Sequence, residues 1–126
     1  MRELTLGAVA YDPKVVTIWD GFKAFFVAAG LPFDYVLYTN YERQVEAHLR
    51  GEIDVAWNSP LAWLQAEAAA ARVGRRAEAV AMRDTDRDLT SVILVRAADV
   101  ITGIADLRGR RVGVGAGDSP QATLIP

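Results

Sequence analysis

Two hydrophobic rhythms alternate along this chain. Residues 4–10, Leu-Thr-Leu-Gly-Ala-Val-Ala, are almost wholly apolar, the pattern of a strand covered on both faces of a parallel sheet. Tyr11-Asp12-Pro13 interrupts it, with Asp12 suited to an N-cap and Pro13 to the first helical position. Over residues 13–29, Val15, Ile18, Trp19, Phe22, Phe25, Phe26 and Ala29 recur at three- and four-residue spacing, which predicts a helix with a wide apolar stripe for a sheet. Gly30 closes it. Residues 33–39 alternate and are rich in aromatics, so they read as a second strand. Asn40 caps a helix over 41–50, and Gly51 ends it. Residues 53–57 form the next strand and 60–73 the next helix. Further on, 79–82, 89–96 and 111–115 read as strands, 83–88 and 106–109 as polar turns, and Asp118-Ser119-Pro120 as another helix start. This order predicts an α/β fold, a mainly parallel sheet with helices on both faces.

Residues 51–63 carry the strongest functional signal. A short apolar strand runs into Trp57, Asn58 and Ser59, and a helix begins at Pro60. Open α/β sheets bind small ligands at such a point, where strand ends meet helix N-termini. The stretch holds no nucleophile, base or metal set, so it points to ligand capture rather than catalysis.

Composition narrows the reading. The 126 residues are 52% apolar and 24% charged, ordinary values for a folded domain. The formal net charge of −2 gives no support to nucleic-acid binding. Arg72, Arg75 and Arg76 read as a solvated helix end, where cations suit the dipole. There are no cysteines and one histidine, His48, so thiolate zinc sites and His-based triads lack their parts. His48 is expected on the solvated flank of its helix. Asp84, Asp86 and Asp88 have calcium-loop spacing, but Leu89 and Val95 stand where that loop needs Gly and Glu. Gly113, Gly115 and Gly117 lack the dinucleotide spacing. No metal or cofactor is expected.

Three segments in order then acquire a joint meaning. They are Leu-Gly-Ala-Val-Ala-Tyr-Asp-Pro near the start, the run from Asn40 through Trp63, and Asp-Leu-Arg-Gly-Arg-Arg-Val-Gly-Val-Gly near the end. Together they resemble the phosphate/phosphite/phosphonate-type substrate-binding proteins of ABC transporters. That resemblance implies a type 2 periplasmic-binding-protein fold: two α/β lobes, two crossing strands and a ligand cleft. Residues 1–105 then correspond to lobe one with the first crossing strand, 89–96, and 106–126 to the incomplete start of lobe two. It also implies an ABC permease as partner and a periplasmic or membrane-tethered location. No signal peptide is visible, which leaves a cytoplasmic one open. The family's ligand contacts would fall on Tyr11 and Asp12, on Trp57, Asn58 and Ser59, and on Asp118, Ser119 and Gln121. The last group sits where family members often carry Asp-Ser-Thr-Ser.

Helix N-termini offer unpaired N–H groups and partial positive charge, so three of them facing one cleft make an anion trap. Pro120 removes one backbone donor from that design, Asp12 adds a competing carboxylate, and Trp57 offers a flat apolar wall. The expected ligand is a small polar organic molecule, phosphonate-like in its anionic form, rather than bare phosphate. Each residue has a plainer role beside this one. Asp12 and Asp118 serve as helix caps, Trp57 as core, and Tyr41 either reaches the cleft or packs. Trp19 and Trp63 are expected in the core. Two other functions compete: an enzyme on the same fold, a small cytosolic biosynthetic lyase of the menaquinone-pathway type, and the effector-sensing domain of a regulator. Residues 107–126 are expected to be disordered, packed on lobe one, or paired with a second chain as a dimer, with weak ligand affinity in any case.

Overall fold

Strand β1 (Leu4–Val9) leads to helix α1 (Lys14–Ala28), then β2 (Phe33–Tyr38), α2 (Tyr41–Arg50), β3 (Val55–Ala56) and α3 (Pro60–Arg72). The structure is a computed structural model that describes residues 2–88, 90–115, 117, 119 and 123. It divides into two units, Met1–Val80 and Ala81–Pro126, and every element named so far lies in the first. The second unit contributes a 3-10 turn at Ile104–Leu107, and another at Asp84–Asp86.

The three strands are parallel in the order β2-β1-β3. Central β1 pairs Leu4 with Phe33 and Val9 with Tyr38 on one side. On the other, Leu6 pairs with Val55 and Gly7 with Ala56. β3 is shorter than the five residues expected. Its ladder nonetheless continues at both ends, through Asp54 N–H to the Thr5 carbonyl and Trp57 N–H to the Gly7 carbonyl, each 2.8 Å.

Alternation along β1 sends helices to both faces. Leu6 and Ala8 join Val15 and Trp19 of α1 and Phe33 of β2 in one core cluster. Full burial of a side chain such as Phe33 contributes on the order of 2–3 kcal/mol. Gly7 faces the other way. A Cβ there would lie 2.4 Å from Ile53 Cδ1, 3.0 Å from Tyr38 Cε2 and 3.4 Å from Gln44 Cγ, so α2 covers this second face. Val45 of α2 then packs on Ala62 and Ala66 of α3, flanked by Tyr41 and Leu49.

The caps follow the sequence with one shift. Asn40 Oδ1 accepts the Arg43 N–H at 2.9 Å, and Gly51 closes α2 at φ 77°. Pro13 already has helical angles (φ −56°, ψ −27°), and α1 hydrogen bonding begins at Lys14. Asp12 still caps the helix, because its Oδ1 accepts the Lys14 N–H at 2.8 Å.

Three expectations are corrected. First, none of the described residues in 79–82, 90–96 and 111–115 forms a strand; Val92, Leu94 and Val114 are exposed. A β-prone run becomes a strand only when another edge takes up its N–H and C=O groups, and the described part of the sheet contains β2, β1 and β3 alone. Second, the α1 stripe is only half used: Val15 and Trp19 are buried, while Ile18, Phe22 and Phe25 are exposed. A three-stranded sheet covers the row facing it and leaves the next row in solvent. Third, Trp63 is half-buried rather than core, on a helix whose buried row is Ala62, Ala66 and Ala70. Arg72, Arg75 and Arg76 are exposed, as expected.

Candidate functional site at the carboxyl rim of the sheet

Because β1 and β3 are parallel neighbours, their carboxyl ends share one rim. Tyr11 and Asp12 follow β1, and Trp57, Asn58 and Ser59 follow β3. The 2.8 Å bond from Trp57 N–H to the Gly7 carbonyl ties the second turn to the first strand. Ala10 N–H donates to the Tyr38 carbonyl at 2.9 Å, bringing the end of β2 and the start of α2 to the same rim. Three helices therefore begin here, each with backbone N–H groups and a positive dipole end.

The side chains at the rim are differently engaged. Tyr11 is 79% exposed. Asp12 is exposed, with one carboxylate oxygen accepting from Lys14. Trp57 is 37% exposed, and its ring meets Trp19 edge-on at 6.1 Å, so it is a wall standing on the core rather than part of it. Ser59 is buried, and its Oγ accepts the Ala62 N–H at 3.2 Å as the cap of α3. Tyr41 is half-buried against the α2–α3 cluster, the packing alternative. Ser119 lies in the second unit, where its carbonyl accepts the Thr123 N–H at 3.1 Å. Asp118 and Gln121 lie outside the described residues.

The sequence reading missed Gln44. It is fully buried, and its Nε2 donates to the Trp57 carbonyl at 3.0 Å and to Asn58 Oδ1 at 2.7 Å. Its helical spacing from Tyr41 put it near the apolar flank of α2, but its place against Gly7 of the central strand is visible only in the fold. His48 is also more engaged than expected: it is half-buried, with Nε2 3.2 Å from the Asp54 carbonyl. Asp84 and Asp86 form a solvent-facing turn closed by Arg83, whose guanidinium donates twice to Asp86. Among the described residues no group of His, Cys, Asp or Glu side chains could hold a metal ion. None of their helices is long and apolar enough to cross a membrane.

Comparison with known proteins decides the family. The family model described as "ABC transporter, phosphonate, periplasmic substrate-binding protein" matches residues 10–126. The chain belongs to that family. The match begins at the end of β1 and spans the whole candidate rim except the strand leading into it. No curated protein matches the chain. For a phosphonate-type binding protein, the family assigns a transport rather than an enzymatic role, a small-molecule ligand, an ABC permease partner and a periplasmic setting.

Proposed function

We propose that this family member captures a small polar, phosphonate-like solute at the carboxyl rim of its sheet and presents it to an ABC permease outside the cytoplasm. The observation that carries the proposal is the adjacency of parallel β1 and β3, which sets the Tyr11-Asp12 and Trp57-Asn58-Ser59 turns side by side. Tyr11 and Trp57 supply flat walls for the organic part of the solute. Asn58 and the first N–H groups of α1 and α3 supply donors to its oxygens. Asp12 and Ser59 act chiefly by holding the helix starts in place. Tyr41 closes the flank. Asp118, Ser119 and Gln121 complete the contact set from a second lobe, with residues 1–105 as the first lobe and 106–126 opening the second. Closure of two lobes about a hinge then commits the solute.

The Asp12 carboxylate at the rim weighs against a bare, highly charged anion. Isothermal titration with methylphosphonate, phosphite and phosphate tests the reading. Methylphosphonate is expected to bind more tightly than phosphate. Sub-micromolar binding of phosphate, or equal affinity for all three, would overturn it.

A further inference from the structure

Gln44 and Asn58 form a chain of two amides whose orientation is dictated from one end. The Trp57 carbonyl can only accept a hydrogen bond. The Gln44 side-chain atom 3.0 Å from it is therefore the NH2 group. That same nitrogen lies 2.7 Å from the Asn58 side chain, so the Asn58 atom facing it is the carbonyl oxygen; two NH2 groups would otherwise meet. Reversing Gln44 would bring its oxygen against the Trp57 carbonyl, acceptor against acceptor. As it stands, Gln44 Oε1 is buried with no hydrogen-bond partner among the described residues. A buried acceptor left unpaired is destabilising, so this orientation is held by the two donated bonds and not by convenience. Gly7 makes the arrangement possible, since Gln44 Cγ packs 3.4 Å from where its Cβ would be.

The consequence reaches the rim. With its oxygen turned to Gln44, Asn58 directs its NH2 group the other way, and that group makes no hydrogen bond to the described residues. Asn58 is only half-buried, one residue before the cap of α3. An asparagine free to rotate can offer either an acceptor or donors; this one is locked as a donor.

We infer that Gln44 is a positioning residue that fixes the Asn58 amide as a two-proton donor, selecting ligands that present oxyanion acceptors, such as phosphonates, and rejecting ammonium groups at that position. This rests on the rim reading proposed above and names the specificity device within it.

The test uses the full chain, with 15N-labelled side-chain amides and methylphosphonate as probe. The Gln44 NH2 signal is expected to exchange slowly with solvent and the Asn58 NH2 signal rapidly, and methylphosphonate is expected to shift the Asn58 pair. Gln44→Met keeps the volume of the side chain and also removes the unpaired oxygen, so a folded protein is expected, checked by its backbone amide spectrum. Its affinity for methylphosphonate is expected to fall about tenfold, with the Asn58 NH2 shift altered before ligand is added. Asn58→Asp, which cannot donate when ionised, is expected to lose binding. Rapid exchange of the Gln44 NH2, or wild-type affinity in folded Gln44→Met while Asn58 responds in the wild type, overturns the positioning role alone. An Asn58 signal that never responds, with Asn58→Ala binding as the wild type or with no binding at all, overturns the rim reading and this inference with it. Should Gln44→Met fail to fold, the exchange rates and the Asn58 response in the wild type decide the matter.

Discussion

Gly7 and Ser59 show how single residues build the rim. At Gly7 any Cβ would collide with Ile53 Cδ1 at 2.4 Å and crowd the Tyr38 ring at 3.0 Å. Ile53 can swing its terminal methyl, but it is itself buried, and Gln44 fills the adjoining space. Gly7→Ala is therefore expected to destabilise the protein by about 1–3 kcal/mol. The check is a lower urea midpoint at unchanged slope. Ser59→Ala removes the side-chain acceptor for the Ala62 N–H and is expected to cost about 1 kcal/mol, read in the same titration. Small, conformationally specific residues of this kind were legible in the sequence: Asn40, Gly51 and Pro60 stand where the helix boundaries require them. Gln44 was not. Nothing in a one-dimensional pattern distinguishes a glutamine on a solvated face from one threaded between a helix and a glycine in the neighbouring strand.

At the scale of elements, β3 is short and depends on its partner. Asp54, just before it, clasps β1 twice. Its N–H donates to the Thr5 carbonyl, and its Oδ2 accepts the Thr5 N–H at 3.0 Å, while Arg2 pairs with Oδ1. The Thr5 N–H bond, followed by Arg2, holds the Asp54 carboxyl below its ordinary value of 3.8, against the opposing effect of burial. The unfolded chain therefore takes up this proton first as the solution is acidified. The stability that Asp54 contributes is present above pH 3.8 and is lost as pH falls through the lower folded value. Asp54→Asn is expected to be less stable than the parent at neutral pH, with the gap closing in acid, as urea titrations at a series of pH values would show. The order of elements up to residue 72 was readable because each periodic run is bounded by caps and glycines. The described residues of the runs at 79–82, 90–96 and 111–115 misled because β propensity reports a preference for a pleated surface, and only a paired edge turns that preference into a strand.

For the molecule as a whole, the runs outside the sheet have a measurable signature. Hydrogen exchange of the full chain is expected to show β1 amides strongly protected and the amides of residues 92–96 near the unprotected rate, since none of them stands in a strand. Protection at 92–96 that grows with protein concentration would instead identify strand pairing with a second copy. The parallel rim, the helix starts around it and the family were all reachable from the sequence, because they depend on local order. The contacts attributed to Asp118, Ser119 and Gln121 were not settled by it, because they require a relation between distant segments that no short-range pattern encodes.

The edge-on pair of indoles gives the protein an optical gauge of its own. Trp57 is 37% exposed, while Trp19, 6.1 Å away, is buried. Emission from the outer ring reports on whatever displaces water from it, over a background from buried Trp19 and half-buried Trp63. A solute settling at the rim is expected to shift the intrinsic emission to the blue, without any attached dye. Trp57→Phe is expected to silence that response while leaving the Trp19 and Trp63 signals in place.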